Sequence, residues 1–209
     1  MKTTYLKKQM QVIMSAAVAL LAAGCATPTT QLPPQAVTGL VEVRSNLIMD
    51  RAQIEQTTSA AKEMVDRPVL NVQSQISAFD SALAKLKTQM QQTREAAAAA
   101  DAVATDYFAT WGQKLQGISG EMAQAGQQRR QASMASWKKM QDTANSMWGQ
   151  YASFMHNLDQ VDKYLQTDST ADGVKAATPT IQSALAGQSE MINKINDLIA
   201  QIDIVRSGH

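Results

Sequence analysis

One cysteine, two histidines, five prolines and 5% aromatic residues are spread over 209 positions, and charge of neither sign dominates. A lone cysteine excludes an internal disulfide. A metal site needs three or four converging ligands, and with His156 and the terminal His209 as the only histidines, a His156/Asp159/Asp162 face on one helix falls short of that. The near balance of 19 basic and 18 acidic side chains argues against a nucleic-acid binder. The glycines form no phosphate-cradling pattern, and no serine lies in a nucleophile elbow. The chain is therefore expected not to be an enzyme and to need no cofactor.

What is present begins with the placement of that cysteine. Lys2, Lys7 and Lys8 precede an apolar run from Val12 to Ala23, and small residues lead up to Cys25. This is the three-part plan of a secretory signal, and the run is too short for the roughly 20 residues a bilayer span requires. Leu21-Ala22-Ala23-Gly24-Cys25 resembles the lipobox of bacterial lipoproteins, with Ala22 where leucine is commonest. That resemblance implies cleavage after Gly24 and acylation of Cys25, which also removes a free thiol from an exported protein. Three acyl chains, each buried CH₂ contributing about 0.8 kcal/mol, would hold the chain stably in a membrane. Ala26 rather than aspartate follows the cysteine, which by analogy with lipoprotein sorting favours the outer membrane, facing the periplasm, over the inner one. Loss of residues 1–24 removes three lysines and no acid, so the formal charge moves from +1 to −2.

Three segments follow from this pattern: a signal peptide at 1–24, a Thr-, Gln- and Pro-rich tether at 25–35, and a helical domain at 36–209. Ala, Gln, Met, Leu and Lys dominate that domain, a helix-forming composition. Apolar residues recur in steps of three and four along four stretches, the signature of heptad packing. The first stretch reads Leu40, Val43, Leu47, Asp50, Ile54, Thr57, Ala61 and Met64. The second runs from Val69 through Ile76, Phe79, Leu83, Leu86 and Met90 into Ala97, Ala100, Ala104, Tyr107 and Trp111. The third passes Trp137, Met140, Ala144, Met147, Tyr151, Phe154, Leu158, Val161 and Leu165. The fourth passes Ile181, Leu185, Gln188, Ile192, Ile195, Ile199 and Ile202.

Breakers separate the stretches at Pro68, at the glycine-containing segment 117–126 and at 166–173. Pro68 suits the first position of the second helix, Thr170 or Asp172 suits an N-cap of the fourth, and Thr178-Pro179 offers that helix a second start. The expected fold is all-α: an elongated antiparallel bundle of about four helices with a long coiled-coil-like central hairpin. Helices of about 45 residues in the hairpin against about 30 in the flanks leave residues 98–133 as a two-helix projection on the anchor side. Its alanine seam permits close approach but buries little area.

Asp50 falls on the first seam between Arg44 and Arg51. The plainer reading makes it a salt-bridged rim residue or a drift in register. The sharper one makes it a buried polar residue that sets register. Arg129 and Arg130, with Lys114, Leu115, Ile118 and Met122, form a mildly basic and mildly apolar tip, a candidate contact for lipid headgroups.

The stretches "YFATWGQKLQGI" at 107–118, "RRQASMASWKKM" at 129–140 and "LDQVDKYLQTDSTADGVKAATPTI" at 158–181 resemble bacterial envelope proteins of domain-of-unknown-function family twenty-nine fifty-nine. Ser169 and Asp172 depart from that pattern in the turn. The resemblance implies a helical, coiled-coil-like lipoprotein and supplies no catalytic residues. The expected function is that of a lipid-anchored structural spacer or interaction protein, with the membrane and another envelope protein as partners. The alternative is a binding module holding a lipid or other apolar ligand between helices, near Trp137, Met140, Met147 and Tyr151.

Overall fold

A computed structural model describes residues 32–67 and 71–208, and among them there are four helices and no strand. Helix α1 spans Pro34–Asp66, α2 Gln73–Leu115, α3 Gly120–Thr167 and α4 Ala171–Ser207. Gly24, Cys25, Pro68 and His209 lie outside the described residues. The architecture is the expected all-α bundle with close helix packing.

Local chemistry sets the ends. Helix α1 starts inside the expected tether, at Pro34, because proline fits the first helical turn, where its missing N–H has no partner to lose. The second helix begins at Gln73 rather than at Pro68: the Asn71 side chain accepts a hydrogen bond from the Gln73 N–H and holds a turn ahead of the helix. Gly120 opens α3 with φ of 70°, a backbone that favours glycine. Thr170 caps α4 by accepting from the Gly173 N–H at 3.1 Å. That helix is one piece, with Pro179 inside it on the exposed side.

The four helices run up, down, up and down. Gln53 Nε2 donates to Ala82 O between α1 and α2, Lys87 pairs with Asp159 at 2.7 Å between α2 and α3, and Arg44 Nε donates to Asp203 at 2.9 Å between α1 and α4. α1 and α4 are thus neighbours, and a ring closes around one core.

All eight positions of the first seam are buried. On α4 the buried stripe takes Ala184, Met191 and Leu198 in place of Leu185, Ile192 and Ile199, which are half-buried. On α2 the seam shifts beyond Ala104 to Phe108, with Tyr107 and Trp111 half-buried beside it. A helix facing two neighbours buries a wide apolar stripe, so adjacent phases compete and side-chain size decides between them.

Gly39 of α1 lies against Ala100 of α2, where a Cβ on the glycine would stand 3.0 Å from the alanine Cβ. The body therefore reaches further up the hairpin than residue 98. Counting antiparallel from that contact, Pro34 stands level with about residue 105, and the remaining turns of α2 project about 15 Å at 1.5 Å per residue. The tip is packed through Leu115, which covers Gly126 so closely that a Cβ there would collide with it.

Candidate functional site

Alanine is small enough to leave space when its neighbours are held apart by larger groups. Between α2 and α3 the alanine run does so. A cleft of about 430 Å³ opens at that interface and reaches the core. This volume lies in the roughly 300–1,000 Å³ range of ligand sites. Its floor is formed by Leu40 and Val43 of α1 with Leu198 and Ile202 of α4. One wall is Ala97, Ala98 and Ala100; the other is Trp137, Met140, Ala144 and Trp148. The alanine seam thus approaches closely on its α1 side, at Gly39, and stays open on its α3 side.

The rim is polar and largely committed. Asp101 accepts from Trp137 Nε1 at 2.9 Å and from Gln141 Nε2 at 2.6 Å, which fixes the indole in the wall. Lys138 pairs with Asp142 one turn away on α3. Arg94 differs: its guanidinium lies 4.7 Å from the Trp148 ring centroid and 5.9 Å from that of Tyr151, and it makes no ion pair among the described residues. A cation over aromatic faces is positioned without being neutralised.

Behind the cleft lies Asp50. It is fully buried, so its reading as a salt-bridged rim residue is corrected. The flanking arginines turn to α4, Arg44 to Asp203 and Arg51 Nη1 to Asn196 Oδ1 at 2.9 Å. Thr93 Oγ1, in the cleft lining, donates to Asp50 Oδ2 at 2.8 Å, and Oδ1 has no hydrogen-bond partner among the described residues. Burial pushes the Asp50 carboxyl up to about 7, against smaller lowering effects of Thr93 and Gln89. Burial likewise raises the nearby Tyr151 phenol to about 12, with Arg94 opposing and Asp50 and Asp159 reinforcing the rise.

The remaining candidates are dispersed. His156 is exposed, Asp159 and Asp162 both face Lys87, and no three metal-ligating side chains converge among the described residues. At the arm Arg129 is exposed, whereas Arg130 is half-buried and its Nε donates to Phe108 O at 2.8 Å. Ile118 and Met122 are exposed at the tip. Of the four residues named for an interior ligand site, Trp137 and Met140 line the cleft, whereas Met147 and Tyr151 are packed in the core. Arg94 and Asp101 are site residues that the sequence reading does not single out. The one signal for them was an alanine run facing tryptophans across the hairpin.

No helix of the described residues is long and apolar enough to cross a membrane. No family model, curated protein or solved structure matches the chain.

Proposed function

We propose that the protein is a lipid-anchored component of the bacterial envelope, held in the outer membrane by an acylated Cys25, that acts without catalysis as a spacer and interaction protein. The observation that carries this reading is directional. Helix α1 starts at the end from which the α2–α3 arm projects, so the chain enters the bundle on the side of the arm tip. A chain of nine residues such as 25–33 can span at most about 30 Å, more than the roughly 15 Å by which the arm overhangs. The tip, with exposed Ile118, Met122 and Arg129, then lies within reach of the anchoring membrane or of a protein held there. The cleft favours a second role for the same bundle, that of a binding module.

Intact mass and membrane fractionation of wild type and Cys25→Ser test the anchor. A wild type that carries acyl mass and sediments with membranes, beside an unprocessed variant, is the expected result; an unmodified, soluble wild type overturns it. Photo-crosslinking from Met122 in intact cells then tests the interaction role, with a reproducible lipid or protein adduct expected and its absence counting against that role.

A further inference from the structure

We propose that the cleft between α2 and α3 binds a single-chain acidic amphiphile, the hydrocarbon chain lying over the alanine wall and the anionic head pairing with Arg94. This rests on the binding-module reading and deepens it to a ligand class. It is independent of the lipid anchor.

The interior sets the chain. Floor and walls are aliphatic, aromatic or alanine side chains together with Thr93, whose hydroxyl donates to Asp50, while the other polar lining residues, Arg94, Asp101, Lys138, Gln141, Asp142 and Asn145, stand at the exposed or half-buried rim. Such a surface satisfies no polar ligand atom, so a ligand that enters it must be apolar there. The long axis of the cleft follows the helices from the level of Arg94 to that of Trp137, about two turns or roughly 10 Å. At about 430 Å³ over that length the cleft is wide enough for a hydrocarbon chain folded back on itself.

The rim sets the head. Asp101 is a carboxylate held only by neutral donors, and Lys138 is paired with Asp142, so neither presents an unpaired positive charge. Arg94 does: stacked over Trp148, it keeps its fork of N–H donors free of carboxylates among the described residues. A guanidinium presents that fork to carboxylate or phosphate alike. The head is therefore an anion at the Arg94 end, away from Asp101. Free fatty acids and lysophospholipids share this chemistry.

The test uses the purified full chain held in amphipol, titrated with brominated palmitate. Trp137 and Trp148 lie at the cleft and report the bromine by quenching. Saturable quenching reversed by palmitate is expected. Arg94→Gln should weaken binding about tenfold with Arg94→Lys, which keeps the charge but not the fork, recovering part of it, and palmitate should compete at least tenfold better than hexadecanol. Ala97→Phe should abolish the quenching. Ala98→Phe, at the exposed rim, should do so in a chain whose thermal unfolding is unchanged. Lysophosphatidylglycerol run as competitor distinguishes the two sources by which anion wins. Quenching that is absent, or that survives both phenylalanines, overturns the binding module itself. Hexadecanol competing as well as palmitate, or an unaltered Arg94→Gln, keeps the module and overturns the acidic ligand.

Discussion

The two halves of the bundle share one heptad spacing and differ in outcome. At the end near residues 67–72, Phe79, Leu83 and Leu86 of α2 and Leu158 and Leu165 of α3 fill the space between helices, and the interior is closed. At the arm end, Ala97, Ala98 and Ala100 occupy equivalent turns of α2, the α3 wall carries two tryptophans, and a cleft remains. Spacing sets which faces meet; side-chain volume sets whether they close. A long side chain in the closed half is surrounded on every side. One in the open half already borders a void and has fewer contacts to lose.

Truncation on the two sides separates these states most sharply. Phe79→Ala should cost about 3–5 kcal/mol, because a fully buried ring leaves a cavity that its neighbours cannot refill. Met140→Ala, at the cleft wall, should cost about 2 kcal/mol, at the low end for its type. Chemical denaturation followed by circular dichroism measures both. Equal losses would erase the distinction between the halves.

The boundary between them holds the buried carboxyl, and its effect comes next in size. Asp50 titrates near 7 in the folded chain against 3.8 when free. Between about pH 4 and 7 the folded chain keeps a proton that the unfolded chain releases, so stability falls as pH rises through that window and is lowest above it. At 1.36 kcal/mol per unit the full span is at most about 4 kcal/mol. Asp50→Asn keeps the shape and the acceptor for Thr93 but has no charge to desolvate. Its advantage over wild type should be near zero at pH 4 and about 2–4 kcal/mol at pH 8, read from denaturation midpoints. Parallel pH curves for the two chains would mean that Asp50 is solvated and that water enters the core from the cleft.

Legibility in the sequence follows the same division. The first seam, Leu40 to Met64, is read correctly at every position because one phase of three-and-four spacing holds along the whole helix, although Val41, Ile48 and Met49 beside it are apolar and exposed. On α4, apolar residues stand at two adjacent phases, and periodicity alone misplaces Leu185, Ile192 and Ile199 by one residue. The cleft is harder to see, because alanine is compatible with both tight contact and open space. Gly39 decides for contact on one side of α2, while the bulk of Trp137 and Trp148 decides for space on the other. Asp50 was visible as an anomaly on the seam, but its partner Thr93 lies on another helix. Arg130 reads as half of a basic pair, and only the hairpin geometry distinguishes it from Arg129.

That pair gives the smallest expected effect and extends the comparison to the arm. Arg130 lies across Gly112, where a Cβ would stand 3.1 Å from its Nη2, and its Nε reaches the Phe108 carbonyl. A hydrogen bond from a charged but partly solvated donor contributes about 1 kcal/mol. The arm has no third or fourth helix to share the load, so that loss appears locally as faster opening rather than as global unfolding. Arg130→Ala should raise amide hydrogen exchange over residues 105–130 about fivefold and leave the denaturation midpoint of the body within error. Arg129→Ala, from an exposed position, should change neither. If both substitutions accelerate exchange equally, loss of a positive charge at either position rather than loss of the Arg130 brace loosens the arm. If neither does, Leu115 seated over Gly126 is sufficient by itself to close the tip.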